Sequence, residues 1–62
     1  MPYYEVHMVF KSEIETLDSL NITIKRHAET VTELLAWLFN IFLPEMARQE
    51  LTLAYISSIT EE

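Results

Sequence analysis

No cysteine occurs anywhere in these 62 residues, and that absence limits the possible folds more than any residue present. Below roughly 70–80 residues a private hydrophobic core rarely supplies more than about 3–5 kcal/mol, so small domains are usually reinforced by disulfides, metal or a second chain. Without thiols, a disulfide staple and a thiolate metal site are both excluded, and cysteine usage says nothing about redox compartment. The chain is too short for two domains and is expected to form one, over residues 1–62. Self-association is the remaining common source of stability. Glycine is missing as well. Any turn that needs positive φ is therefore expected at Asp18, Asn21 or Asn40, or is replaced by a longer loop.

Ten acids against four bases give a formal charge of −6. Direct binding to nucleic acid or to anionic membrane needs Lys and Arg to supply the attraction, so neither is expected. Half of the residues are hydrophobic, too many for a disordered acidic tail. The N-terminus lacks a basic stretch followed by an apolar core, so no secretory signal is expected. The longest apolar run, Leu34 to Leu43, is ten residues broken at Asn40. A membrane-spanning helix needs roughly 17–25, and a soluble chain is expected.

Tyr4, Val6, Met8 and Phe10 alternate with Glu5, His7 and Lys11, and Tyr3 and Val9 share the second side. This period of two predicts a half-buried strand. The polar stretch from Ser12 to Asp18 is expected to link it to a second strand. There Leu20, Ile22 and Ile24 alternate with Asn21, Thr23 and Lys25. A competing pattern runs through Ile14, Leu17, Asn21, Ile24, Ala28, Val31, Leu35, Leu38 and Phe42, with Ser12 and Glu15 as a capping box. It would make one helix of about thirty residues. The strand is favoured, because the helix would strand Leu20 and Ile22 in solvent and the Asn-Ile-Thr-Ile run is rich in β-branched residues.

From Ala28 or Thr30 to Leu43 the spacing is helical. Thr30 is placed to cap it with Glu33 three residues on, and Glu29 and Glu33 lie where the helix dipole favours anions. Pro44 is expected to end this helix, with Pro44 to Gln49 forming one further turn. Leu51, Leu53, Tyr55, Ser57 and Ile59 then alternate with Thr52, Ala54, Ile56 and Ser58 in a third strand, before an acidic tail at Glu61 and Glu62. The expected fold is α+β in ββαβ order. A right-handed crossover gives an antiparallel sheet of order 2-1-3 with the helix on one face.

That helix is more apolar than one sheet requires. Val31, Leu34, Leu35, Leu38, Ile41 and Phe42 can make the inward stripe, which leaves Trp37 and Phe39 away from its centre and Leu43 near an edge. Leaving a large apolar side chain wet forgoes roughly 1.5–3 kcal/mol. Either Trp37 and Phe39 cover the sheet edge within one small core, or a symmetric homodimer covers them. The second reading is preferred.

Chemistry is sparse. His7 and His27 are in no metal-ligand spacing, and neither a metal nor another cofactor is expected. Ser12, Ser19, Ser57 and Ser58 with Asp18 lack the sharp turn that presents a nucleophile. Met1-Pro2 before an amphipathic strand resembles the small tautomerases, whose N-terminal proline acts as a base. In that family a helix follows the first strand and arginines bind the substrate carboxylate, whereas only Arg26 and Arg48 occur here. The chain is expected not to be an enzyme.

Tyr4-Glu5-Val6-His7-Met8-Val9-Phe10, Val31-Thr32-Glu33-Leu34 and Leu51-Thr52-Leu53, together with the length, acidity and element order, resemble the small dimeric phage inhibitors of uracil-DNA glycosylase. The resemblance implies a DNA mimic in the host bacterial cytoplasm. Its dimer would capture, in an apolar pocket, the side chain with which the glycosylase fills the space left by a flipped base. Flanking carboxylates would stand in for phosphates. The partner-binding residues so implied are Glu29, Glu33, Leu34, Trp37 and Leu38. The sequence departs from the family at Leu35, where relatives carry a second glutamate, and in the first loop. There Glu13, Glu15 and Asp18 replace a glycine and aspartate run.

Overall fold

The computed structural model describes residues 2–12 and 19–62. Strand β1 (Tyr3–Ser12) is followed by β2 (Leu20–His27), helix α1 (Val31–Trp37), a π-helical turn (Leu38–Phe42), helix α2 (Leu43–Arg48) and β3 (Leu51–Glu61). The three strands form an antiparallel sheet in the order β2-β1-β3, so the expected α+β architecture and topology stand. Residues 20–27 are a strand, and the long-helix alternative falls. The expected linker, with Glu13, Glu15 and Asp18, lies outside the described residues.

The even-numbered side chains of β1 make the core. Tyr4, Val6, Met8 and Phe10 are buried, joined by Ala28, Leu34 and Leu38. β1 is the central strand, pairing Val6 with Ile24 on one side and Ile59 on the other. Its inward residues are thus covered by the helix above and flanked by apolar neighbours. At one end of the sheet, the N–H of Ala28 donates to the Pro2 carbonyl at 3.1 Å and that of Glu62 to the Tyr3 carbonyl at 2.7 Å.

Two features depart from simple periodicity. In β3 the pairing with β1 slips between His7 and Met8 and again between Val9 and Phe10. Phe10 faces Leu53, Val9 faces Tyr55, Met8 faces Ile56 and His7 faces Ser58, so Ala54 and Ser57 are the extra, bulged residues. Each bulge shifts the inward parity by one. Ile56, expected on the outer side, joins Leu51, Leu53 and Ile59 against the core, while Tyr55, expected inward, is exposed.

The helical segment departs likewise. Pro44 does not end it. The helix continues to Arg48 with Pro44 in the opening turn of α2. The Leu43 N–H donates to the Leu38 carbonyl, five residues back instead of four. This wider turn accommodates a residue that has no N–H and whose ring would crowd the preceding turn of an ordinary helix. It also shifts the inward stripe by about one residue. Leu43 is partly buried against the core, and Ile41, expected in the stripe, is 55% exposed. Val31, also expected there, is exposed at the start of α1.

The turn from α2 into β3 holds the one positive φ among the described non-glycine residues, Glu50 at 61°. It falls at none of the positions expected for it.

Candidate functional site

Helix and sheet diverge beside β3. Phe39, Leu43, Pro44 and Ala47 from the helical segment face Leu51, Thr52 and Leu53 from the start of β3 across an open groove of about 450 Å³. Phe39 is 53% exposed at its rim. The groove exists because of the π-helical turn, which keeps Phe39, Leu43 and Ala47 along one flank of the helix. Proline adds a polar feature. The Leu43 N–H is committed to Leu38, and Pro44 has no N–H. The Phe39 carbonyl therefore has no helical donor four or five residues ahead.

Acids surround this apolar notch in the sequence. Glu45 follows Pro44 and is held by Arg48, whose Nη1 donates to Oε1 at 3.0 Å. Glu50 precedes Leu51. Both carboxylates are exposed.

The five residues expected to bind a partner separate into three groups. Glu29 and Glu33 are exposed at the entry of α1, where the Thr30 hydroxyl accepts the Glu33 N–H at 3.1 Å as the expected cap. Leu34 and Leu38 are 0% and 1% exposed, so within the chain they are core and not surface. Trp37 is half-buried against the core. One face of its ring meets Phe42, with centroids 5.5 Å apart, and the Arg26 guanidinium lies 4.1 Å over the ring. Its own chain therefore supplies cover that was expected from a second copy. The exposed large apolar residues of the helical segment are Val31, Phe39 and Ile41. None of the five expected residues lines the groove. The signal that points to it is the five-residue step from Leu38 to Leu43 just before Pro44.

The opposite face of the sheet is polar. The His7 ring lies between two partners, its Nε2 donating to Glu5 Oε2 at 3.1 Å, because a carboxylate can only accept, and its Nδ1 sharing a hydrogen bond with the Thr23 hydroxyl at 3.1 Å. Lys25 Nζ lies 3.7 Å from carboxylate oxygens of both Glu5 and Glu62. The His7 hydrogen bond holds the Glu5 carboxyl below its ordinary value, opposed by desolvation and helped by Lys25. At the sheet's end, burial and then the Glu61 charge push the Tyr4 phenol up. Val9 and its cross-strand partner Tyr55 break the polar pattern of this face, Val9 at 6% exposure and outside the main core, Tyr55 at 58%. Thr23, His7 and Glu5 line up as hydroxyl, imidazole and carboxylate on the outer surface of the β1–β2 pair.

Among the described residues no three His, Asp or Glu side chains converge as a metal would require. No described helix is long and apolar enough to cross a membrane. Where the tautomerases carry a helix after the first strand, β2 occupies residues 20–27. No protein-family model matches the chain, and no curated protein or solved structure matches it either.

Proposed function

We propose that this chain is a non-catalytic protein inhibitor of a uracil-DNA glycosylase, an acidic DNA mimic that works as a homodimer in the bacterial cytoplasm. The observation that carries the reading is an apolar groove set in a strongly negative chain. Phe39, Leu43, Pro44 and Ala47 offer a dry seat for one inserted side chain. Glu45 and Glu50 adjoin the groove in sequence, and the chain carries a formal charge of −6. A glycosylase reads DNA with the same two elements, a basic channel for phosphates and an apolar wedge that replaces the flipped base. Charge complementarity speeds the encounter, and burial of the wedge slows release. The seat lies on the C-terminal half of the helical segment, not at Leu34, Trp37 and Leu38.

The test is uracil excision from a DNA duplex by a bacterial glycosylase, titrated with the purified protein. Inhibition near stoichiometry is expected. Phe39→Lys weakens it at least tenfold, the scale of one truncated anchor at about 1.4 kcal/mol or more. Glu33→Ala lowers the association rate and flattens its salt dependence. A protein that never slows excision leaves only a general protein-interaction module.

A further inference from the structure

We infer that the Phe39 carbonyl is a hydrogen-bond acceptor built into the wall of the apolar groove, and that the groove selects an inserted aromatic side chain bearing its own donor, tryptophan or tyrosine. This rests on the inhibitor reading above and narrows the partner side chain, which that reading left as merely apolar. Helical carbonyls point along the axis toward the next turn, where the amide four residues on usually meets them. For Phe39 that amide belongs to Leu43, which is committed to Leu38, and the next residue is Pro44, which has none. Phe39, Leu43 and Pro44 all line the groove, so the carbonyl sits on its helical wall. An open groove leaves that oxygen to solvent. A purely apolar occupant would expel the solvent and leave the oxygen unpaired.

The surroundings favour a donor there. Glu45 follows Pro44 and Glu50 precedes Leu51, while the base of α2, Arg48, is tied to Glu45. Negative charge is in excess beside the groove and welcomes the positive end of an N–H or O–H bond. The exposed Phe39 ring gives the rim an aromatic surface against which a second ring can pack edge-on or offset. Tryptophan and tyrosine each join an apolar body to a single donor, and both need that donor met when buried. Leucine or phenylalanine would fill the groove and leave the oxygen bare. One hydrogen bond of this kind corresponds to about a tenfold preference for the donor-bearing ring.

The probes are indole and benzofuran, rings of nearly the same shape of which only indole carries an N–H. Amide nitrogen–proton correlation spectra of the full chain, titrated with each, give both dissociation constants from the signals of Phe39, Leu43, Ala47, Leu51 and Leu53. Indole should bind about tenfold more tightly. Pro44→Ala returns an N–H to that position. If the widened turn persists, the new N–H takes the Phe39 carbonyl; if the turn tightens to ordinary pitch, the Leu43 N–H takes it. Either way the acceptor is occupied, and the variant should bind the two probes equally. The ratio separates this effect from a change in groove shape, which acts on both rings alike. Equal binding by wild type, no shift from either probe at millimolar concentration, or a preference that survives Pro44→Ala overturns the acceptor. Uracil excision is measured with the same proteins. Inhibition without a preference for indole leaves the inhibitor reading standing, whereas a preference without inhibition keeps the acceptor and removes the glycosylase.

Discussion

Glu50 holds a left-handed backbone, φ 61°, where a helix hands the chain on to a strand. Its N–H donates to the Ala47 carbonyl at 2.9 Å, and that of Gln49 to Met46 at 3.0 Å, so the turn is fixed by its own hydrogen bonds. A residue with a Cβ in this conformation costs about 1–2 kcal/mol. Glycine avoids that cost but gains unfolded-chain freedom worth about 0.5–1 kcal/mol. Glu50→Gly should therefore stabilise the fold by about 0.5–1 kcal/mol, which for a domain near this size raises Tm by about 2–8 °C. The assay is thermal melting followed by far-ultraviolet circular dichroism at one fixed protein concentration, because self-association makes Tm depend on concentration. Glu50→Gln is the control, since it removes the charge and keeps the Cβ. A Gly variant that melts no higher than wild type refutes the strain argument. A Gln variant that gains as much transfers the effect to charge. Glycine is the residue usually found just past a helix C-terminus, so a glutamate kept there at a cost points to use of its carboxylate. Glu50→Gly should accordingly be the more stable protein and the weaker inhibitor.

Leu38→Ala, which empties a site 1% exposed, should cost about 2–5 kcal/mol, close to all the stability a core this small provides, and abolish the folded circular dichroism spectrum. A well-folded Leu38→Ala that loses only partner binding would return Leu38 to the surface role expected of it from sequence. The lowered Glu5 carboxyl contributes stability that is fully present above its ordinary value of 4.5 and is lost as pH falls through the lower folded value. Urea midpoints measured from neutral to strongly acidic pH should thus drop more steeply below about 4.5 in wild type than in Glu5→Gln. Equal slopes would remove the His7–Glu5 contact from the account. Arg26→Ala should uncover Trp37, the sole tryptophan, shift its emission to the red and cost about 0.5–1 kcal/mol. Unchanged emission would mean that the guanidinium does not shield the ring.

The sheet order was legible because β1 alternates without interruption and the right-handed crossover leaves one place for β3. The N-terminus of the helix was legible because Thr30 and Glu33 stand at cap spacing. The misses share a cause. A reading by period assumes that phase is kept, and this chain inserts one residue's worth of phase three times, twice in β3 and once in the helical segment. In β3 the inward residues Leu51, Leu53, Ile56 and Ile59 step by two, three and three, with small Ala54 and Ser57 in the longer steps. In the helical segment an ordinary pitch, about 100° per residue, would carry positions 39, 43 and 47 some 40° further round at each step and away from β3. The widened turn before Pro44 winds that drift back, so Phe39, Leu43 and Ala47 stay in line and face Leu51 to Leu53. The resemblance names residues at the entry and on the first half of the helical segment, Glu29, Glu33, Leu34, Trp37 and Leu38, whereas the groove lies on the second half. At constant pitch Trp37 falls off the inward stripe and looks partner-facing, whereas Leu38, named for a partner only by the resemblance, lies on that stripe and is buried. The proline taken as a full stop is the residue that turns the apolar flank toward the open edge of the sheet.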